Sequence, residues 1–108
     1  MAISTIDAGA PVVTLINVFT VAPERTDALL DLLVTATDDV MRHLPGFVSA
    51  NLHRSLDGTH VANYAQWESE AALRAMLDDP VAQDHMAAAA AMAEFAPVLY
   101  HVASVHHA

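Results

Sequence analysis

Residues 12–21 read VVTLINVFTV, a β-branched, apolar run whose odd positions, Val13, Leu15, Phe19 and Val21, share one face with Asn17 in their midst. The pattern predicts a central strand carrying one polar intruder. Pro23 stands where a helix start needs no N–H, and Glu24 and Asp27 suit its positive end. Leu29, Leu30, Leu32, Leu33, Ala36, Val40 and Leu44 follow at spacings of three and four, predicting one amphipathic helix of about 20 residues that Pro45-Gly46 ends. Stretches 47–55 and 59–67 flank Leu56-Asp57-Gly58. Asp-Gly supplies the positive φ of a tight turn, so they read as an antiparallel hairpin. Ser69 beside Glu70 opens a second helix to about Leu77, and Asp79-Pro80 restarts it through the alanine run to Met92, giving a kinked or split helix. After Pro97, residues 98–105 alternate enough for a last strand.

The order β-α-β-β-α-β, with a hairpin between two βα units, predicts an α+β, ferredoxin-like fold: a four-stranded antiparallel sheet in the order 4-1-3-2 with its helices on one face. The first and third strands then lie side by side at the centre. Residues 1–10, small and polar without periodicity, read as a flexible lead-in, and residues 11–108 as a single domain.

Composition narrows the function. The chain has 108 residues, four arginines, no lysine, thirteen carboxylates and a net charge of −9. Nucleic acid and anionic membrane are held by phosphate-neutralising cations, and four scattered arginines form no basic stripe. The absence of cysteine excludes disulfides, thiolate nucleophiles and iron–sulfur clusters. No apolar run reaches the length of a spanning helix, and residues 1–11 lack the basic start and apolar run of a signal peptide, so a cytoplasmic location is expected. A chain this short buries only about two-thirds of its unfolded surface, so a ligand cavity takes space from a modest core and a homodimer is expected.

Candidate chemistry comes from the strand faces. Val61, Asn63, Ala65 and Trp67 share one face of the third strand, as Asn17 shares one with Leu15 and Phe19. If both faces look toward the helices, two neutral amides and an indole enter one apolar pocket. An unpaired buried amide costs about 1–3 kcal/mol, so the two either bond to each other across the strands or bind something else. Uncharged N–H donors in a dry site suit a phenolate, enolate or carbonyl oxygen. An electron-rich aromatic so held can reduce dioxygen itself, with no metal or flavin.

Pro45-Gly46-Phe47, Asp57-Gly58-Thr59, Asn17-Val18-Phe19-Thr20 and above all the stretch NYAQWESE from Asn63 to Glu70 resemble the antibiotic biosynthesis monooxygenase family. The likeness is to its cofactor-independent anthrone oxygenases and runs over about residues 12–105. It implies a homodimeric α+β barrel and an enzyme that oxidises an anthrone or hydroquinone-type aromatic polyketide to a quinone with O2, without cofactor or metal. By the same resemblance Asn17, Asn63 and Trp67 are the catalytic residues, and Leu15, Phe19, Val61, Leu73, Met76, His85 and Met86 bind substrate. Leu73 and Met86 stand where relatives place a tyrosine and an arginine. His85 beside the latter is a candidate hydrogen-bond partner or proton acceptor, although a lone histidine on an alanine-rich helix is more often simply exposed.

Other readings have their own marks. Haem-degrading relatives pair a first-strand asparagine with a histidine ligand and a helix tryptophan, whose position here is Met76. A non-catalytic barrel that only binds, and a polyketide cyclase, would share the pocket without using oxygen. His53 and His60 flank the hairpin turn, and His101, His106 and His107 lie near the end of the chain, without a metal-ligand spacing.

Overall fold

A computed structural model describes residues 2–108. The apolar run near the head of the chain becomes β1 (Val13–Thr20). The hairpin forms β2 (Phe47–Arg54) and β3 (His60–Trp67). The last strand, β4, spans Glu94–Tyr100, and the four pair antiparallel in the order β2-β3-β1-β4. This is the α+β, ferredoxin-like arrangement, with β1 and β3 at the centre as the hairpin placement requires.

The turn of the hairpin is closed by Asp57, whose Oδ1 accepts from Ser55 Oγ at 2.7 Å, Thr59 N–H at 3.0 Å and Thr59 Oγ1 at 2.7 Å. These donors, Ser55 foremost and then Thr59, hold its carboxyl down at about 2. Gly58 supplies the positive φ of 72°. Its carbonyl also accepts from Thr26 Oγ1 at 2.6 Å, fixing the first helix to the hairpin.

That helix differs from the sequence expectation. A 3-10 turn at Pro23–Arg25 leads into α1 (Thr26–Asp39), and a second 3-10 turn follows at Met41–His43. The expected single helix of about 20 residues is therefore broken at Val40, whose φ of −125° and ψ of −67° leave helical space. The break turns Val40, Met41 and Leu44 onto the cluster around Trp67.

The second helical region is two helices, α2 (Glu70–Leu77) and α3 (Pro80–Ala90). Ser69 Oγ accepts from Ala72 N–H at 3.1 Å and Asp79 Oδ2 from Ala82 N–H at 2.9 Å, so each start satisfies a free donor with its own capping side chain.

β4 is a correction: it begins at Glu94 and ends at Tyr100, not at residues 98–105, and Pro97 lies within it opposite Asn17. Pro97 reads as a breaker only for a strand paired on both sides. β4 is an edge strand with β1 alone as neighbour, where a residue without an N–H is tolerated.

Two buried clusters fill the space between sheet and helices. One gathers Phe19, Val21, Leu29, Val61 and Ala89, the other Ala65, Trp67, Leu73, Met76 and Ala82. On the opposite face Gln66 Nε2 donates to the Thr5 carbonyl at 3.0 Å and Ser4 Oγ bonds to Asn51 Oδ1 at 2.5 Å, so part of the N-terminal segment lies on that side of the sheet. Among the described residues no helix is long and apolar enough to cross a membrane.

Candidate active site

Asn17 and Asn63 are direct partners in the β1–β3 ladder, both on the helix side of the sheet. Two residues along, Leu15 pairs with Ala65, and beyond them Val13 pairs with Trp67. The period-two alternation thus delivers both amides and the indole to one face. No hydrogen bond joins the two amides: Asn17 Oδ1 and Asn63 Oδ1 are each buried without a partner. The cross-strand pairing that would have made them a purely structural couple is absent.

The amides border a cavity of about 320 Å³ between sheet and helices. That is the lower end of the roughly 300–1,000 Å³ found for small-molecule sites. Leu15, Phe19, Leu73, Met76, His85 and Met86 line it together with Asn17, Asn63 and Trp67. Trp67 is only 2% exposed and meets Phe47 edge-on, with ring centroids 5.4 Å apart. At the Phe19 end, that ring lies 5.6 Å from Phe95.

Val61 corrects the expectation that it borders the pocket. It pairs with Phe19 on the same sheet face but is fully buried among Val21, Leu29 and Ala89, so it belongs to the closed core. Its neighbour Phe19 has the longer side chain and reaches the cavity instead.

The histidines expected outside the pocket are exposed. His53 Nδ1 lies 3.1 Å from the Asn51 carbonyl and His60 Nδ1 2.9 Å from Thr59 Oγ1, while His101, His106 and His107 lie beyond β4. Among the described residues no three metal-capable side chains gather.

Residues 12–92 match the antibiotic biosynthesis monooxygenase family. The chain belongs to that family. Over 82 residues it is 55% identical to tetracenomycin-F1 monooxygenase of Streptomyces glaucescens, covering 76% of this chain and 73% of that protein. The monooxygenase from the gene ActVA-Orf6 of Streptomyces coelicolor, solved with nanaomycin D, superposes with a TM-score of 0.80 at 30% identity, covering 94% of this chain and 96% of that one. SnoaB of Streptomyces nogalater, a cofactor-independent oxygenase, superposes with a TM-score of 0.75 at 28% identity, covering 89% and 97%. The chain is accordingly a monooxygenase of this family.

In this family member two parts of the pocket wall escape sequence reasoning. Thr37 and Met41 enter from the end of α1 and the 3-10 turn after it. Reading one unbroken helix hid where Met41 would point. Phe95, Pro97 and Leu99 enter from β4, whose start the proline had moved four residues down the chain. Their odd spacing opposite Phe19, Asn17 and Leu15 was the available signal.

Proposed function

We propose that this monooxygenase oxidises an anthrone or hydroquinone-type aromatic polyketide to a quinone, with O2 and no cofactor, a reading that its 55% identity to tetracenomycin-F1 monooxygenase supports. The observation that carries the reading is the pair of unpartnered amides facing each other across β1 and β3 at the edge of an apolar cavity. An aromatic guest excludes water there; its phenol O–H donates to the amide oxygens that lack a partner, and its carbonyl oxygen accepts from the amide N–H groups. An enolate oxygen at that point is stabilised more than a neutral carbonyl, which is the differential interaction catalysis requires.

The chemistry then balances without a bound redox group. The acidic CH2 carbon loses a proton, and the enolate passes one electron to O2. The carbon radical and superoxide combine, and protonation gives a hydroperoxide. Loss of water, with the second C–H proton, leaves the carbonyl. One oxygen atom enters the product and the other leaves as water. Trp67 and Leu15 pack beside the guest with its oxygen-bearing edge toward the amides, while Leu73 and Met86 present apolar surface to it.

The homodimer belongs to the same reading. The sheet face away from the helices carries exposed Val18, Val98 and Tyr100 on its β1 and β4 strands, apolar area that a second copy would cover. Oxygen electrode traces with an anthrone in chelator-treated buffer test the function: uptake with one O2 per quinone formed, lost in Asn63→Ala and reduced in Trp67→Phe, is the expected result. Tight binding with no uptake would assign the chain to the binding modules instead.

A further inference from the structure

We propose that His85 is the base that takes the substrate's acidic proton, an inference that rests on the oxygenase reading above and adds the group that begins the reaction. Among the described residues lining the cavity, His85 is the one side chain with a basic ring nitrogen. The rest of the wall is apolar or carries an uncharged amide, hydroxyl or indole. A reaction that starts by removing a C–H proton needs a base within reach.

The helix period puts it there. Ala82 and Ala89, about one turn to either side on α3, are buried, and Met86 lines the same wall. Gln83, Asp84, Ala87 and Ala88 occupy the exposed side. The expectation of an exposed histidine on an alanine-rich helix gives way to a half-buried one that borders the void. No charged side chain shares the cavity wall with it. Asp84 on α3, Asp31, Asp38 and Asp39 on α1, and Glu70 and Arg74 on α2 are exposed and line no part of the cavity, and the sheet contributes no charged residue to it. Asp79 is occupied in capping α3.

His85 stands on a helix and the amides on the sheet, so base and donors reach the guest from different elements. A carbonyl oxygen accepts hydrogen bonds at the edge of the ring system. The proton leaving the neighbouring carbon departs perpendicular to the ring plane, so that its electron pair merges with the π system. Donors and base therefore have to approach from different directions. Here the sheet supplies the donors and α3 the base. The C–H bond breaks, an N–H bond forms on the imidazole, and the electron pair passes to the enolate oxygen at Asn17 and Asn63. The imidazolium then returns its proton to the peroxide formed after electron transfer to O2.

The test uses the full chain, dihydroxyanthrone as probe, and O2 uptake followed from acid to mildly alkaline pH. His85→Gln is expected to lose roughly 10²–10⁴-fold in kcat with little change in KM. The acid-side fall of the wild-type rate should vanish, and deuterium at the acidic carbon should slow the variant more than the wild type. His85→Ala should regain turnover when imidazole is added, and carries the test if the glutamine variant fails to fold. Wild-type activity matched by His85→Gln, with the same pH profile, overturns the assignment and leaves the oxygenase reading intact. Folded His85→Ala that is inactive and insensitive to imidazole also overturns it. Absence of O2 uptake by the wild type overturns both.

Discussion

The two clusters beneath the helices are built from the same sheet face, yet one is closed and the other encloses a void. At the Val61 end, β-branched and leucine side chains meet α1, and of the buried cluster only Phe19 and Ala89 reach the void. At the Trp67 end, the chain places an indole, three methionines and small alanines, and space remains between them. Asn17 and Asn63 mark the boundary: one pair further along β1 and β3 lies the Phe19–Val61 side, two pairs back the Trp67 side. The comparison teaches that stability and chemistry are divided along the strands of one small sheet. The closed end carries the burial that lets the other end hold unsatisfied amides.

The largest expected break of that division is Leu29→Ala. Leu29 is fully buried in the closed cluster, so the change should cost about 2–5 kcal/mol in denaturant unfolding. The turnover of the folded enzyme should survive. A collapse of kcat in fully folded Leu29→Ala would mean that the ends are not separable. Next comes the boundary. Asn63→Leu removes a buried oxygen without a partner, so unfolding midpoints should hold or rise while turnover falls roughly 10²–10³-fold. A stability loss with unchanged kcat would reassign the amide to structure.

Gly46→Ala sharpens the comparison at the Trp67 end. Gly46 has a φ of 83°, and a Cβ there would stand 2.3 Å from the Ala72 Cβ on α2. Its carbonyl accepts from the Glu68 N–H at 2.7 Å, next to Trp67. The variant should lose about 1–3 kcal/mol and show a raised KM, because α2 and the end of β3 have to part. Asp57 gives the smallest effect. Its carboxyl is held down at about 2, so the turn's contribution is fully present above the ordinary carboxylate pKa and is lost as pH falls through that depressed value. Acid unfolding curves of Asp57→Asn should lack that component, with neutral-pH turnover unchanged.

Most of the fold was legible in the chain because its signals are local. Asp57-Gly58 marks the hairpin, Ser69 and Asp79-Pro80 mark two helix starts, and alternation on β1 and β3 aligns the amides. What escaped depended on neighbours. Whether Pro97 ends a strand turns on how many partners that strand has, and whether Val40 continues a helix turns on what Met41 and Leu44 find to pack against. The same holds in the site. Asn17, Asn63 and Trp67 follow from period two, whereas Val61's exclusion from the cavity and His85's half-buried position depend on how the helices settle on the sheet.

The two ring pairs set a ruler. Phe19 with Phe95 stands near one end of the hollow and Phe47 with Trp67 near the other, with the strand from Phe19 back to Val13 rising roughly 20 Å between their levels. Under the proposed reading, a rod of fused rings lying parallel to β1 meets a ring pair at each tip, so those two doorposts would limit the number of rings and the amides between them would select the ring edge to be oxidised.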